Sequence, residues 1–130
     1  MIFDTSFIID LMEKDASAVQ KLKDAINNGE IQAVTSPTIF ELYSGLAQSR
    51  LPELERKKIL LTLSNLLVWD LDVEGAARGG EIDGSLISAG AKIEPIDSMI
   101  AGIALSRGEK LLTRNTKHFS SIPGLKVETY

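Results

Sequence analysis

The feature that most constrains this chain is an alternation. Short apolar runs are each followed by a longer stretch with helical spacing. Met1 to Phe3, Ile31 to Val34, Leu67 to Leu71, Lys110 to Thr113 and Leu125 to Glu128 read as strands. They are too brief and too apolar to alternate between wet and dry faces, which is how strands buried on both sides look. Between them, Thr5 and Ser6 offer cap chemistry before Phe7 to Met12, and Ala16 to Ile26 is helical up to the stop at Asn27-Asn28-Gly29. Pro37 opens a helix through Ile39, Leu42, Tyr43 and Leu46, and another is predicted from about Pro52 to Leu66. Ile96 to Leu105 closes the set, with Asp97 at its start, and Lys92-Ile93 is either a very short strand or an extended link. Strands alternating with helices predict an α/β fold whose central sheet has about four to five mostly parallel strands, flanked by helices.

Val73 to about Ala91 is the exception that tests this reading. It has helical spacing but contains Gly75, Gly79, Gly80, Gly84 and Gly90. Each interior glycine costs about 1 kcal/mol of helix propensity. Such a helix is expected only where small residues let it press close to a neighbour, and the sheet is the expected neighbour.

At 130 residues, the chain fits a single domain spanning 1–130. It has no cysteine, which removes disulfides and thiolate metal sites. No apolar run is long enough to cross a membrane, and Met1-Ile2-Phe3-Asp4 lacks the basic start of a signal peptide, so a cytoplasmic protein with no membrane partner is expected. The net charge of −4 argues weakly against nucleic acid. Its distribution is more informative: Arg50, Arg56, Lys57 and Lys58 form one basic cluster, and Arg114, Lys117 and His118 another. A solvated helix face explains the first cluster equally well.

In parallel α/β sheets, ligands sit outside the carboxyl ends of the strands. Asp4 follows the first strand, Asp97 opens a helix beyond Ile93, and Thr113-Arg114-Asn115 follows the strand at Leu111-Leu112. Glu41 lies on the first turns of the helix after Thr35 and Ser36. Clustered carboxylates repel unless a cation neutralises them, and hard oxygen ligands suit Mg2+ or Mn2+. Composition and spacing leave a plainer reading open for each. Aspartate is a favoured N-cap, so Asp4 and Asp97 suit capping as well as ligation, and Glu41 suits a solvated helix face.

Four segments in order carry a resemblance: Ile2-Phe3-Asp4-Thr5-Ser6-Phe7-Ile8-Ile9-Asp10-Leu11, Thr35-Ser36-Pro37-Thr38-Ile39-Phe40-Glu41-Leu42, Gly90 to Ala104 around Ile96-Asp97-Ser98-Met99-Ile100-Ala101, and Leu111-Leu112-Thr113-Arg114-Asn115-Thr116-Lys117-His118-Phe119. Together they resemble the PIN-domain family, particularly the VapC-type toxins of toxin–antitoxin pairs, over nearly the whole chain. The resemblance implies a three-layer PIN-like α/β fold. It also implies a metal-dependent endoribonuclease, the toxin of a type II pair, that hydrolyses RNA phosphodiesters with metal-activated water and leaves a 5′-phosphate.

By that resemblance Asp4, Glu41 and Asp97 are catalytic metal ligands for Mg2+, with Mn2+ as a substitute. Asn115 stands where relatives often carry a fourth acid and adds no charge, so one well-held ion is expected, with the second weak or dependent on substrate. Ser6 and Thr113 would hold carboxylates or a metal-bound water, although turn chemistry suits Thr113 equally. Arg114 and Lys117 would meet RNA phosphates. A homodimer and a cognate antitoxin that inserts at the acidic site are the implied partners besides RNA. The segment from Thr38 to Leu66 is also more apolar than one small sheet needs, which suits a dimer.

Asp10 is read as non-catalytic, His118 as a surface residue, Trp69 as core or interface, and Phe40 and Tyr43 as packing groups. Asn115 and the acidic net charge motivate an alternative, a catalytically weak PIN-fold module that binds RNA or protein. A phosphotransfer domain fits poorly, because Asp4-Thr5-Ser6 lacks a second aspartate.

Overall fold

A computed structural model describes all 130 residues. In chain order the elements are β1 (Ile2–Phe3), α1 (Thr5–Met12), α2 (Ala16–Asn27), β2 (Ala33–Thr35), α3 (Ser36–Ala47), α4 (Pro52–Leu63), β3 (Leu67–Trp69), α5 (Val73–Ser88), α6 (Pro95–Arg107), β4 (Leu111–Leu112), α7 (Thr116–Phe119) and β5 (Val127–Glu128). The five strands form one wholly parallel sheet in the order β3-β2-β1-β4-β5.

Successive strand residues point to opposite faces, and this divides the core in two. Phe3, Val34 and Leu112 face α1 to α4, packing with Phe7, Ile8, Leu42, Leu46 and Ile59. Ile2 and Leu111 face the other way, against Leu86, Ile100, Ile103 and Phe119 of α5, α6 and α7. Both sides of β1 and β4 are therefore dry, as their unbroken apolar runs require. The result is three layers, with the central strand β1 feeding Asp4 straight to the carboxyl edge of the sheet.

The strands are shorter than expected. The second begins at Ala33 rather than Ile31, and β4 excludes Lys110 and Thr113. Lys92-Ile93 is a link, not a strand, and the short α7 was not anticipated.

Helix α5 forms despite its glycines, but the neighbour it presses against is α6 rather than the sheet. Its cap is Asp72, whose carboxylate accepts from Gly75 N at 2.8 Å. A Cβ on Gly102 of α6 would overlap the Gly75 carbonyl oxygen and lie 2.5 Å from Gly79 N. A Cβ on Gly79 would lie 2.9 Å from the Ser98 carbonyl oxygen. Backbone thus meets backbone along this seam, and the close approach fixes α6, which carries Asp97. Helix α6 ends at Gly108, whose φ of +65° suits the left-handed C-cap.

Candidate active site

The three acids come from three elements that end or begin at one edge of the sheet. Asp4 follows β1, Glu41 lies on α3 after β2, and Asp97 sits in the first turn of α6. Neither aspartate is spent on capping. Asp4 occupies the N-cap position of α1, yet its side chain makes no cap hydrogen bond. The N-cap of α6 is Glu94, leaving Asp97 inside the helix.

Each carboxylate has one oxygen held by a neighbour. Asp4 Oδ2 accepts from Ser6 Oγ at 2.9 Å and Thr113 Oγ1 at 2.7 Å. Those hydroxyls in turn accept from Arg114 N at 3.1 Å and Asn115 N at 2.9 Å. The two hydroxyls also lie 3.2 Å from each other, so with one proton apiece they form a shared network around Asp4 Oδ2, in which Thr113 makes the shorter contact. Thr5 Oγ1 donates to Glu41 Oε1 at 2.6 Å. His118 Nδ1 lies 2.9 Å from Asp97 Oδ2. A carboxylate can only accept, so Nδ1 carries the proton.

Asp4 is only 2% exposed, and its Oδ1 is a buried polar atom with no hydrogen-bond partner. An orphaned buried carboxylate oxygen is costly. Hard oxygens of this kind fit a divalent cation, and Glu41 and Asp97 each have a second oxygen to add. The acids lie within electrostatic reach but are not closed to ligand distances, for no three His, Asp or Glu side chains are grouped tightly enough to hold an ion as they stand.

Burial, and to a lesser degree the neighbouring acids, raise the pKa values of two of the three acids. Burial raises the pKa of Glu41, the Thr5 hydrogen bond opposes it, and Asp97, Asp4 and Glu94 push it further up. Burial also raises Asp97, with His118 opposing and Asp4 and Glu94 adding. Glu94 is thus a further acid at the site, one to which the sequence reading gave no role. Its placement three residues before Asp97, ahead of Pro95, was the available signal.

A raised carboxyl pKa means the folded state binds its proton more tightly than the unfolded chain does. The stability this contributes is present at acid pH and is lost as pH rises through the raised value. Metal-free Glu41→Gln protein should therefore melt higher than wild type at pH 7, with the gap closing as pH falls toward 4.5, the ordinary glutamate value. Scanning calorimetry in chelator checks this. A variant that melts lower at pH 7 would refute the raised pKa.

The other residues singled out from sequence are placed less uniformly. Asn115 and Lys117 are exposed beside Thr113, and no side-chain hydrogen bond caps α7 from Asn115. Arg114 is bound through Nη1 to Asp10 Oδ1 at 2.6 Å, an engagement the phosphate-contact expectation did not foresee. His118 is an exposed residue, as expected, and also a partner of Asp97. Phe40, expected to pack, is 66% exposed. Trp69 is half-buried beneath the Arg107 guanidinium, 4.6 Å from its ring. Tyr130, which had no assigned role, reaches Asp10 Oδ2 at 2.5 Å.

The sequence model of the PIN domain matches residues 1–125. The chain belongs to the PIN-domain family. It is 33% identical to the tRNA(fMet)-specific endonuclease VapC of Shigella flexneri, over 99% of this chain and 96% of that one. Among solved structures, VapBC2 of Rickettsia felis bound to a promoter DNA fragment is similar with a TM-score of 0.91 at 27% identity, covering 100% of this chain and 99% of the other. DNA-bound VapBC of Salmonella typhimurium is similar with a TM-score of 0.86 at 31% identity, covering 98% and 96%. These PIN-fold proteins share the three-layer architecture described above, from β1 through β5.

Proposed function

We infer that this PIN-domain chain is an endoribonuclease, the toxin of a type II toxin–antitoxin pair, acting with a divalent metal. The observation that carries the metal reading is Asp4 Oδ1, buried and unpartnered at the edge of the sheet beside two further acids. Relatives similar over nearly the full chain support the RNA-cleaving activity.

Asp4, Glu41 and Asp97 would hold the ion, Mg2+ or Mn2+ in its place. The ion, when bound, supplies charge neutralisation at the phosphate and acidifies water. The protein's own residues do the rest. Ser6 and Thr113 fix Asp4 so that Oδ1 faces the site, Thr5 fixes Glu41, and His118 fixes Asp97. Asn115 adds an amide without charge, so a second ion would bind weakly or with substrate. Lys117, exposed on α7, would meet a flanking phosphate.

Two partners accompany this reading. An antitoxin is supported by the VapBC assemblies among the similar structures. A basic segment would match the acidic site. A second copy of this chain would cover Leu51, Leu54, Leu60 and Leu61 around α4 and Leu67 and Val68 on the edge strand β3, all of them exposed. No helix is long and apolar enough to cross a membrane.

The test is cleavage of structured RNA by purified protein. Chelator should abolish it, and added Mg2+ or Mn2+ should restore it. Cleavage that persists at full rate in excess chelator would overturn the metal assignment.

A further inference from the structure

We propose that Asp10, Arg114 and Tyr130 form a clamp that positions the Thr113–Asn115 loop, and through it the Asp4 carboxylate. The inference rests on the metal-site reading above and adds three positioning residues to it.

Asp10 is a largely buried acid on α1, the helix that gives Phe7 and Ile8 to the first core. Burying a carboxylate is unfavourable unless its oxygens are partnered, and both are. Oδ1 accepts from Arg114 Nη1 at 2.6 Å, and Oδ2 accepts from the Tyr130 hydroxyl at 2.5 Å. The Tyr130 ring packs edge-on against Phe7, with centroids 4.9 Å apart. Burial and the Asp10 carboxylate together hold its hydroxyl protonated well above the usual tyrosine range. It is therefore a permanent donor.

Arg114 is gripped at two points by one face of one helix. Ser6 and Asp10 are four residues apart on α1, so their side chains lie one above the other. Ser6 Oγ accepts from Arg114 N at 3.1 Å, while Asp10 takes the guanidinium. The residue between Thr113 and Asn115 is thus fixed in both backbone and side chain. Thr113 N is tied on the other side to Glu128 O at 3.0 Å. With the loop so held, Thr113 Oγ1 and Ser6 Oγ meet Asp4 Oδ2 together, and Oδ1 is the oxygen left without a partner.

The Arg114 side chain is 57% exposed. An ion pair this wet contributes little to stability, so the clamp acts on geometry more than on folding. Outer partners that orient metal ligands commonly change metal affinity by about 10- to 100-fold when removed.

The test is calorimetric titration of Mn2+ into purified wild type, Tyr130→Phe, Arg114→Gln and the double variant. Tyr130→Phe keeps the ring against Phe7 and removes only the hydroxyl. Expected are Mn2+ affinities about tenfold weaker in both single variants and a double variant no worse than Arg114→Gln; Tyr130→Phe, which leaves Asp10 Oδ2 without its partner, should also melt a few degrees lower. The KM for RNA should change little. A raised KM in Arg114→Gln with Mn2+ affinity unchanged, and a silent Tyr130→Phe, would make Arg114 a phosphate contact and overturn the clamp. If wild type binds Mn2+ and both variants bind it equally tightly, the clamp alone fails. If wild type binds no Mn2+, the metal site fails and the clamp with it.

Discussion

Asp97→Asn should lower the rate of RNA cleavage at saturating substrate by on the order of 100- to 1,000-fold. A bound cation contributes several kcal/mol of charge stabilisation to phosphodiester cleavage, and each 1.36 kcal/mol is about tenfold in rate. Asparagine keeps the shape of aspartate and can still accept from His118 Nδ1, so the 2.9 Å contact need not be lost. What disappears is a charge, beside a site where Asp4 and Glu94 already raise the Asp97 pKa. The variant should therefore melt no lower than wild type in chelator while losing activity in metal. Single-turnover cleavage paired with thermal melting reads both. A variant that cleaves at the wild-type rate would remove Asp97 from the reaction.

Gly102→Ala should be the most damaging single-methyl change in the chain. The new Cβ would collide with the Gly75 carbonyl and approach Gly79 N to 2.5 Å, and both obstacles are backbone. Overpacking of this kind costs about 1–3 kcal/mol and occasionally more. For a domain of this size, a fall of roughly 10 °C in melting temperature follows from about 3 kcal/mol. Activity should fall too, because separating α5 from α6 shifts the helix that carries Asp97. Gly80→Ala and Gly84→Ala provide the control. No atom lies within 4 Å of either new Cβ, so each should gain up to about 1 kcal/mol of helix propensity. A Gly102→Ala protein as stable as wild type would mean that α6 shifts freely along its neighbour.

Much of the architecture was legible because burial on both faces leaves unbroken apolar runs. The same logic placed Asp4 at a strand end and Asp97 at a helix start. It could not say which helix the glycines of α5 would meet, because a small residue signals close approach without naming the partner. Nor could local patterns show the pairings around the site. His118 and Asp97 are 21 residues apart, and Tyr130 and Asp10 are 120 apart. Asp10 did leave a trace, as an acid beside Phe7, Ile8 and Leu11 on an otherwise apolar helix face. Sequence alone could not say whether Asp4 caps its helix; in the structure its side chain makes no cap bond and its Oδ2 meets the hydroxyls of Ser6 and Thr113 instead.

The placement of β1 at the centre of the sheet has a consequence for how the protein is made. Its neighbours are β2 on one side and β4, more than a hundred residues later, on the other. A ribosome delivers Asp4 and Glu41 early, but Thr113, whose hydroxyl donates to Asp4, only 109 residues after Asp4. Chains emerge at about 5–20 residues per second, so several seconds separate the first acid from the residue that aims it. During that interval the nascent chain holds its acids without the strand that organises them. Until Thr113 has emerged, the hydroxyl that lies 2.7 Å from Asp4 Oδ2 in the folded protein is missing from the site.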